Sequence, residues 1–476
     1  MSEAPEVQGS NSTCLQAFNP IHQRSRVVPP PTYRQRIDLL NKLQQWILSN
    51  KEKVASAIHD DFGSRSRHET LLAEVFIVLN GIKHTKKHLR QWMRSESQSV
   101  FWAFLPARAR IVRQPLGVVG IISPWNYPFQ LALLPIVAAV SAGNRFLLKP
   151  SELTPSTSLL LKQMCEEIFE PDFGAVVLGG PEIGAAFSSM PFDHLFYTGS
   201  THVGRLVSMA AAKNLTPVTL ELGGKSPVIV HSSYDTRAAV AKIGAGKFLN
   251  AGQTCLAPDY VLLAEKELET FVQEMERWVQ RAYPTLMNNE DYSSIINARH
   301  HKRLLAHVED AKAKGARVIT INPGGESEDT VTNKMFPTLI VQPTDDMTVM
   351  QDELFGPVLP VRTVASVNEA IQYVNARPRP LGLYYFDNNA SRVDKLLEET
   401  VSGGATINDV IYHVAQEDLP FGGVGDSGSG SYHGEHGFLT FTHQKSVFYQ
   451  SKLATTHLFN PPYGSLFDRV MSLLIR

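Results

Sequence analysis

Three side chains of this 476-residue chain have the types and settings for covalent and acid–base chemistry: Cys255, Glu221 and Asn126. Only a thiolate attacks, so setting decides what each of the three cysteines can do. Cys14 falls in a polar N-terminal segment that reads as a mobile tail, and Cys165 shares the apolar stripe Leu161, Met164, Ile168 of a helix as a small buried hydrophobe. Cys255 follows Asn250-Ala251-Gly252-Gln253-Thr254, a polar loop whose glycine lets backbone approach a ligand; composition alone leaves nucleophile and inert thiol equally open. A free thiol of pKa ~8.5 is only a few per cent ionised at neutral pH, yet it is intrinsically very nucleophilic. Releasing its adduct then needs a base and an oxyanion stabiliser.

Glu221 ends the apolar run Val218–Leu222, where partial desolvation would raise a carboxylate toward useful basicity; a salt bridge to Lys225 accounts for it equally well. Asn126, in Pro124-Trp125-Asn126-Tyr127-Pro128, follows a strand at the end where open α/β sheets place ligands, and its amide is either an oxyanion donor or a turn former. Tyr197-Thr198-Gly199-Ser200 joins a strand to a helix and turns backbone N–H groups toward a phosphate. The literal G-x-G-x-x-G at Gly423, Gly425 and Gly428 follows no strand and opens no helix, so it is not a dinucleotide loop. His84 and His88 lie one turn apart but among Lys86, Lys87 and Arg90, a solvated basic face; His433 and His436 have no partner set, and no metal site is expected.

Composition narrows the class. With 45 basic and 46 acidic residues and 43% hydrophobic content, the chain is an ordinary globular protein, with no bulk charge for nucleic acid. Three dispersed cysteines and a polar N-terminus without an apolar h-region predict a reducing, cytoplasmic location. Residues 114–144 hold no charge for 31 positions, but Pro115, Pro124, Pro128 and Pro135 divide them into strand, loop and buried helix, so no transmembrane anchor is expected.

The elements that must position the three groups follow from periodicity. Helical patterns at 33–59 and 67–93 precede strands at Val118–Ile122, Arg145–Lys149, Ala175–Leu178, His194–Tyr197 and Val218–Leu222. Helices Phe129–Ala142, Thr154–Phe169 (capped by Thr154), Pro181–Ser189 and Thr201–Lys213 alternate with these strands, the pattern of a Rossmann-like doubly wound parallel sheet. A second α/β run starts after Gly223-Gly224-Lys225, with strands from Pro227–His231 to Thr406–Asn408. The expected units are a cofactor domain of 1–96 and 116–224, a catalytic domain of 225–424, a small β oligomerisation element of 97–115 and 425–455 that fits neither sheet, and a tail of 456–476 with a short amphipathic helix packed on the body.

Seven motifs occur in an order that resembles the aldehyde dehydrogenase superfamily from about residue 30 to 450: Pro-Trp-Asn at 124–126, Lys149-Pro-Ser-Glu152, Thr198-Gly-Ser200, Glu221-Leu-Gly-Gly-Lys225, Gly252-Gln-Thr-Cys255, Glu353-Leu-Phe-Gly-Pro357 and Pro420-Phe-Gly-Gly423. The resemblance implies that Cys255 adds to an aldehyde, Asn126 holds the oxyanion with the Cys255 N–H, and Glu221 activates the hydrolytic water. It implies cofactor contacts from Lys149 and Glu152 (ribose), Thr198, Gly199, Ser200 and Gly204 (pyrophosphate loop), Leu222, and Glu353 with Phe355 (nicotinamide side). The Glu152 carboxylate favours NAD, with NADP open because Lys149 is near. Cys255-Leu-Ala-Pro-Asp-Tyr260 resembles the class 3 branch, which implies a homodimer. Phe62-Gly-Ser-Arg-Ser-Arg-His-Glu-Thr70 and Asn460-Pro-Pro-Tyr-Gly464 are similar to bacterial coniferyl aldehyde dehydrogenases. Aliphatic aldehydes, transfer to coenzyme A and a catalytically silent homologue are the alternatives.

Overall fold

A computed structural model describes residues 5–327 and 331–475. The chain opens with helices α1 (Pro5–Val27), α2 (Tyr33–Phe62) and α3 (Arg67–Thr70), the last continuing through a π-helical stretch (Leu71–Phe76) into α4 (Ile77–Trp92). Thr32 and Gln35 form a reciprocal capping box at the start of α2, and Gly63, at φ +74°, ends it. Strands β1 (Glu96–Gln98) and β2 (Arg108–Pro115) follow, then the alternation β3 (Val118–Ile122), α5 (Gln130–Ala142), β4 (Arg145–Lys149), α6 (Pro155–Ile168), β5 (Gly174–Val176), α7 (Pro181–Ser188), β6 (His194–Thr198), α8 (Thr201–Ala212) and β7 (Val218–Glu221).

The uncharged stretch is explained by β3 and α5, whose residues are buried throughout. The hydroxyl of Thr154 does not cap α6. Asp61 of α2 does so instead, accepting from the N–H groups of Ser156 and Thr157 at 2.8 Å each, a long-range cap that no local pattern reveals.

The second run comprises β8 (Pro227–Val230), α9 (Thr236–Phe248), β9 (Tyr260–Leu263), α10 (Leu268–Ala282), α11 (Ala298–Ala313), β10 (Arg317–Thr320), β11 (Thr338–Val341), β12 (Val358–Thr363), β13 (Gly382–Phe386) and β14 (Gly404–Ile407). Two short strands close the order, β15 (Gly428–Ser429) and β16 (Thr442–Tyr449).

Three sheets result. The first runs β15-β7-β6-β3-β4-β5, parallel except for β15, and the second β10-β11-β12-β9-β8-β13-β14, parallel except for β10. One apolar core packs α2, α4, α5 and α6 onto one face of the first sheet, and another packs α1 and α7 onto the opposite face. Covering both faces is what a doubly wound parallel sheet requires. The third sheet, β1-β2-β16, is antiparallel, with β2 and β16 paired over eight positions from Pro115 opposite Thr442 to Arg108 opposite Tyr449.

Four expectations change. Cys14 is fully buried within α1 against Phe18, Ile21, Ile183 and Phe187, not in a mobile tail, because α1 docks on α7. The segment after 425 is divided: β15 joins the first sheet, pairing Gly428 with Glu221, while β16 joins β2. His84 is mostly covered rather than on an open solvated face, its ring tilted against those of His88 at 4.3 Å and Trp92 at 5.8 Å. The helix Ser465–Leu474 forms, but Leu466 and Leu473 are exposed rather than packed.

Candidate active site

In the first sheet β3 has β4 on one side and β6 on the other, so consecutive connections leave it in opposite directions. The crevice at the carboxyl ends of β3 and β6 is therefore the switch point where ligands bind in open α/β sheets. The segments leaving it are Ser123–Asn126 and Gly199–Ser200, with Glu221 at the end of the adjacent β7. A cleft of about 730 Å³, including its open mouth, is lined there by Trp125, Asn126, Leu131, Thr198, Gly199, Ser200, Glu221, Leu222, Cys255, Glu353 and Phe355, together with His300 and Arg303 of α11. Nine of the twelve expected site residues thus meet in one cavity. Lys149 and Glu152 lie beside it at the end of β4, and Gly204 lies beneath it in α8, where a Cβ would come within 2.6 Å of Leu222.

Cys255 is brought to the cleft by a strained turn. Asn250 and Ala251 adopt φ +51° and +50°, a conformation costly for residues with a Cβ. Buried hydrogen bonds hold it: Asn250 Nδ2 donates to the carbonyls of Asn126 (3.0 Å) and Gln253 (3.2 Å), and Gln253 Nε2 to those of Asn250 (3.0 Å) and Ser294 (2.9 Å). The Cys255 thiol is pushed up to about 12, chiefly by burial and then by Glu353 and Glu221, while the N–H groups of Cys255 and Leu256 work the other way by bonding the sulfur. At rest it is a thiol.

Glu221 is 3% exposed and neither carboxylate oxygen has a hydrogen-bond partner among the described residues. Burial alone drives its carboxyl well above the usual carboxylate range. The salt-bridge alternative fails, because Lys225 is committed elsewhere: its Nζ meets Asp259 Oδ2 at 2.5 Å and the carbonyls of Val349 and Asp352 at 2.7 and 2.8 Å. Asn126 Nδ2 donates to the Gln253 carbonyl at 3.1 Å. A primary amide has two N–H donors, so one remains for a ligand.

The cofactor side fits a dinucleotide by its unpaired groups. Thr198 Oγ1 and Glu353 Oε1 are buried in the cleft without partners among the described residues, and Glu353 rests so closely on the backbone that a Cβ at Gly223 would lie 2.1 Å from its carboxylate. The Glu353 carboxyl rises to about 7 through burial and the nearby Asp259. Ser200 caps α8, accepting from Val203 N at 3.4 Å, so this helix points its N-terminus into the cleft. Lys149 Nζ pairs with Glu152 Oε2 at 2.7 Å.

Residue patterns did not single out Arg303, Arg65, Glu69 or Glu74. Arg303 holds the Glu353–Phe355 segment through the carbonyls of Glu353 (3.1 Å) and Leu354 (2.5 Å). Arg65, wholly buried, donates to the Asn126 carbonyl at 3.1 Å and lies over the rings of Phe62 and Tyr127. Its neighbours Glu69 and Glu74 bind the Asn250 N–H and the first N–H groups of α5. Only Arg65 and Glu69 lay within a quoted motif, and nothing local marked their burial.

The chain is similar to known proteins over most of its length. Residues 21–447 match the aldehyde dehydrogenase family model. The chain is 50% identical over 441 residues, 91% of each chain, to a probable coniferyl aldehyde dehydrogenase of Caulobacter vibrioides. It is 47% identical over 448 residues, 94% of this chain and 93% of the relative, to a coniferyl aldehyde dehydrogenase of a Pseudomonas species. The solved substrate-bound state of Staphylococcus aureus AldH superposes with a TM-score of 0.89 at 35% identity, covering both chains fully. With its mixed α/β sheets, shared motifs and a match across most of its length, the chain belongs to the aldehyde dehydrogenase family, the NAD(P)-dependent oxidoreductases of aldehydes.

Proposed function

We propose that this enzyme oxidises coniferyl aldehyde or a close aryl relative to the carboxylic acid, using Cys255 as nucleophile and Glu221 as hydrolytic base. The observation that carries the mechanism is the desolvated, unpaired carboxylate of Glu221 sharing one cleft with the Cys255 thiol. The substrate reading is supported by two relatives of about half identity that bear the coniferyl name.

The Cys255 thiolate bonds to the aldehyde carbon, and the carbonyl π electrons pass to oxygen. The free Asn126 N–H and the Cys255 backbone N–H hold that oxyanion, so charge develops against fixed donors. Glu353 and Phe355 would hold an oxidised nicotinamide, which when bound would supply a positive charge that favours the thiolate and an acceptor for hydride; on the chain's own side the collapse of the oxyanion leaves a Cys255 thioester. Glu221 then takes a proton from water as the water oxygen bonds the acyl carbon, and C–S cleavage returns the thiolate and frees the acid. A hydrolytic base is what transfer to coenzyme A does not need, so Glu221 favours water as acceptor.

In this reading Glu353 and Phe355 would hold the nicotinamide ribose and ring, Ser200 with Thr198 and Gly199 would receive the pyrophosphate, Gly204 and Leu222 would border the cofactor, and Lys149 with Glu152 would read the adenosine ribose. NAD is favoured because Lys149 is already paired with Glu152, leaving no free cation there for a 2′-phosphate while the carboxylate can accept from ribose hydroxyls. We propose a homodimer, supported by the exposed aromatic face of Phe101, Trp102, Phe104 and Phe448 at the third sheet. A cytoplasmic site is supported by three unpaired thiols. The test is kcat/KM for coniferaldehyde, benzaldehyde, hexanal and decanal with each cofactor. Coniferaldehyde with NAD should lead, and preference for decanal overturns the substrate reading.

A further inference from the structure

The segment 64–69, between α2 and α3, takes no part in the proposed chemistry, yet it grips both sides of the catalytic cleft. Toward the first sheet, Arg65 Nη1 donates to the Asn126 carbonyl at 3.1 Å. Toward the second, the Ser64 carbonyl accepts from the Ser294 N–H at 2.8 Å and Ser66 Oγ donates to Asp291 Oδ1 at 2.9 Å. A single carboxylate oxygen, Glu69 Oε2, accepts from the Asn250 N–H at 3.0 Å and from Ser293 Oγ at 3.1 Å, with Arg65 Nε 3.5 Å away.

The bond to Asn250 falls where a helix stops. Leu249 N still bonds the Ala245 carbonyl of α9, but Leu249 then leaves the helical region (φ −54°, ψ 127°) and takes the Asn250 N–H out of the helix. Leu249 and Ala251 are good helix formers, and neither glycine nor proline stands between Phe248 and Gly252, so the local sequence does not demand a stop. A buried N–H released from its helix needs another acceptor, and Glu69 supplies one from 181 positions away. Beyond it Asn250, Ala251 and Gly252 are all left-handed, at φ +51°, +50° and +78°, a strained reversal for the two residues that carry a Cβ. The reversal sets Gly252 so close to Gly356 that a Cβ there would lie 2.3 Å from the Gly356 carbonyl oxygen, and Cys255 follows three residues later. Continuing α9 through residue 251 would instead advance the chain about 1.5 Å per residue along the helix axis and carry Cys255 out of the cleft.

We propose that Glu69 is a positioning residue for the oxidation: its carboxylate oxygen ends α9 and locks the reversal that presents the Cys255 thiol and backbone N–H to the aldehyde. The proposal rests on the reading of Cys255 as nucleophile and adds the group that holds it in place. What the position requires is an acceptor oxygen at a fixed reach. A glutamine carbonyl can accept from the same two donors, whereas an aspartate is one methylene too short. The guanidinium of Arg65 offsets the cost of a carboxylate placed near the negative end of a helix.

The experiment compares Glu69→Gln, Glu69→Asp and Glu69→Ala, with kcat expressed per NAD-binding site so that only folded enzyme is counted. Glu69→Gln should keep kcat within about threefold of wild type, while Glu69→Asp and Glu69→Ala should lose about 30- to 100-fold, the scale of a small misplacement of a reacting group. The KM for NAD should change less than about twofold in all three, because the groups proposed to hold it lie outside this segment. Alkylation of Cys255 by iodoacetamide at fixed pH should slow about tenfold in the Asp and Ala variants, since the N–H groups of Cys255 and Leu256 then no longer meet the sulfur. A fully active Asp variant beside an inactive Gln variant would show that the charge matters and the reach does not, and overturns the proposal. Unchanged kcat per site in all three, with only a lower unfolding temperature, overturns it in favour of a structural role. If the Ala variant does not fold, the Gln and Asp pair decides by itself. Undiminished NADH production by Cys255→Ala would remove the nucleophile reading, an outcome distinct from every Glu69 result.

Discussion

The side-chain amide of Asn126 donates to the backbone carbonyl of Gln253 at 3.1 Å, tying the loop after β3 to the turn that ends in Cys255. The loop of the donor proposed for the oxyanion and the turn of the proposed nucleophile are thus tied by two hydrogen bonds, this one and that from Asn250 Nδ2 to the Asn126 carbonyl at 3.0 Å. Replacing Asn126 by Ala removes its side-chain bond and the oxyanion donor, while the bonds of Asn250 and Arg65 to the backbone carbonyl at 126 remain. We expect kcat to fall about 10²- to 10³-fold. Alkylation of Cys255 by iodoacetamide should continue, and the two assays together check the role.

Burial and two carboxylates keep the Cys255 sulfur protonated at rest, with its titration near 12. Because the thiolate fraction grows tenfold per pH unit below that point, alkylation of the free enzyme should climb steadily from pH 7 to 10 without a plateau. Saturating NAD should speed it at fixed pH. A plateau near pH 8 in the free enzyme would mean an ordinary, unperturbed thiol.

Glu221 works as a base only when deprotonated, and burial raises its carboxyl. The sign follows: hydrolysis should be slow below the raised pKa and increase as pH rises through it. Wild-type kcat should therefore increase from acidic toward neutral pH, and Glu221→Gln should lose that limb and turn over slowly after an initial burst of NADH. Stopped-flow absorbance across pH separates burst from steady state.

Arg65 is wholly buried, donates to the Asn126 carbonyl and faces two carboxylates, with Glu69 at 3.5 Å and Glu74 at 4.0 Å. Arg65→Met leaves those carboxylates uncompensated, and the expected cost is about 3 kcal/mol of stability, since removing one partner of a buried charge group strands the others. Thermal unfolding reads the loss, and kcat should drop more than KM changes because the Asn126 loop loosens. Arg65→Lys should recover part of the stability.

Much of this site is legible in residue order. Strands and helices of both α/β runs follow from apolar periodicity, and Cys255, Glu221 and Asn126 lie in short motifs at strand ends or in a polar loop, where local pattern and proposed function coincide. What escapes is set by contacts between distant segments. Lys225, four residues from Glu221, pairs instead with Asp259, 34 positions on, because the chain turns it away from its neighbour. Arg65 reaches Asn126 across 61 positions, and Asp61 caps a helix nearly a hundred residues later. Cys14 sits in a polar-looking segment whose apolar face is covered by α7 and the first sheet, and the pairing of Gly428 with Glu221 crosses more than two hundred residues. Local composition carries no record of such partners.

The most direct test of the covalent account is the intact mass and peptide map of Glu221→Gln quenched within the burst after mixing with NAD and coniferaldehyde. The account predicts one feruloyl adduct, on the peptide holding Cys255, formed together with the NADH burst and decaying slowly. A burst with no adduct, or an adduct on another residue, would contradict it.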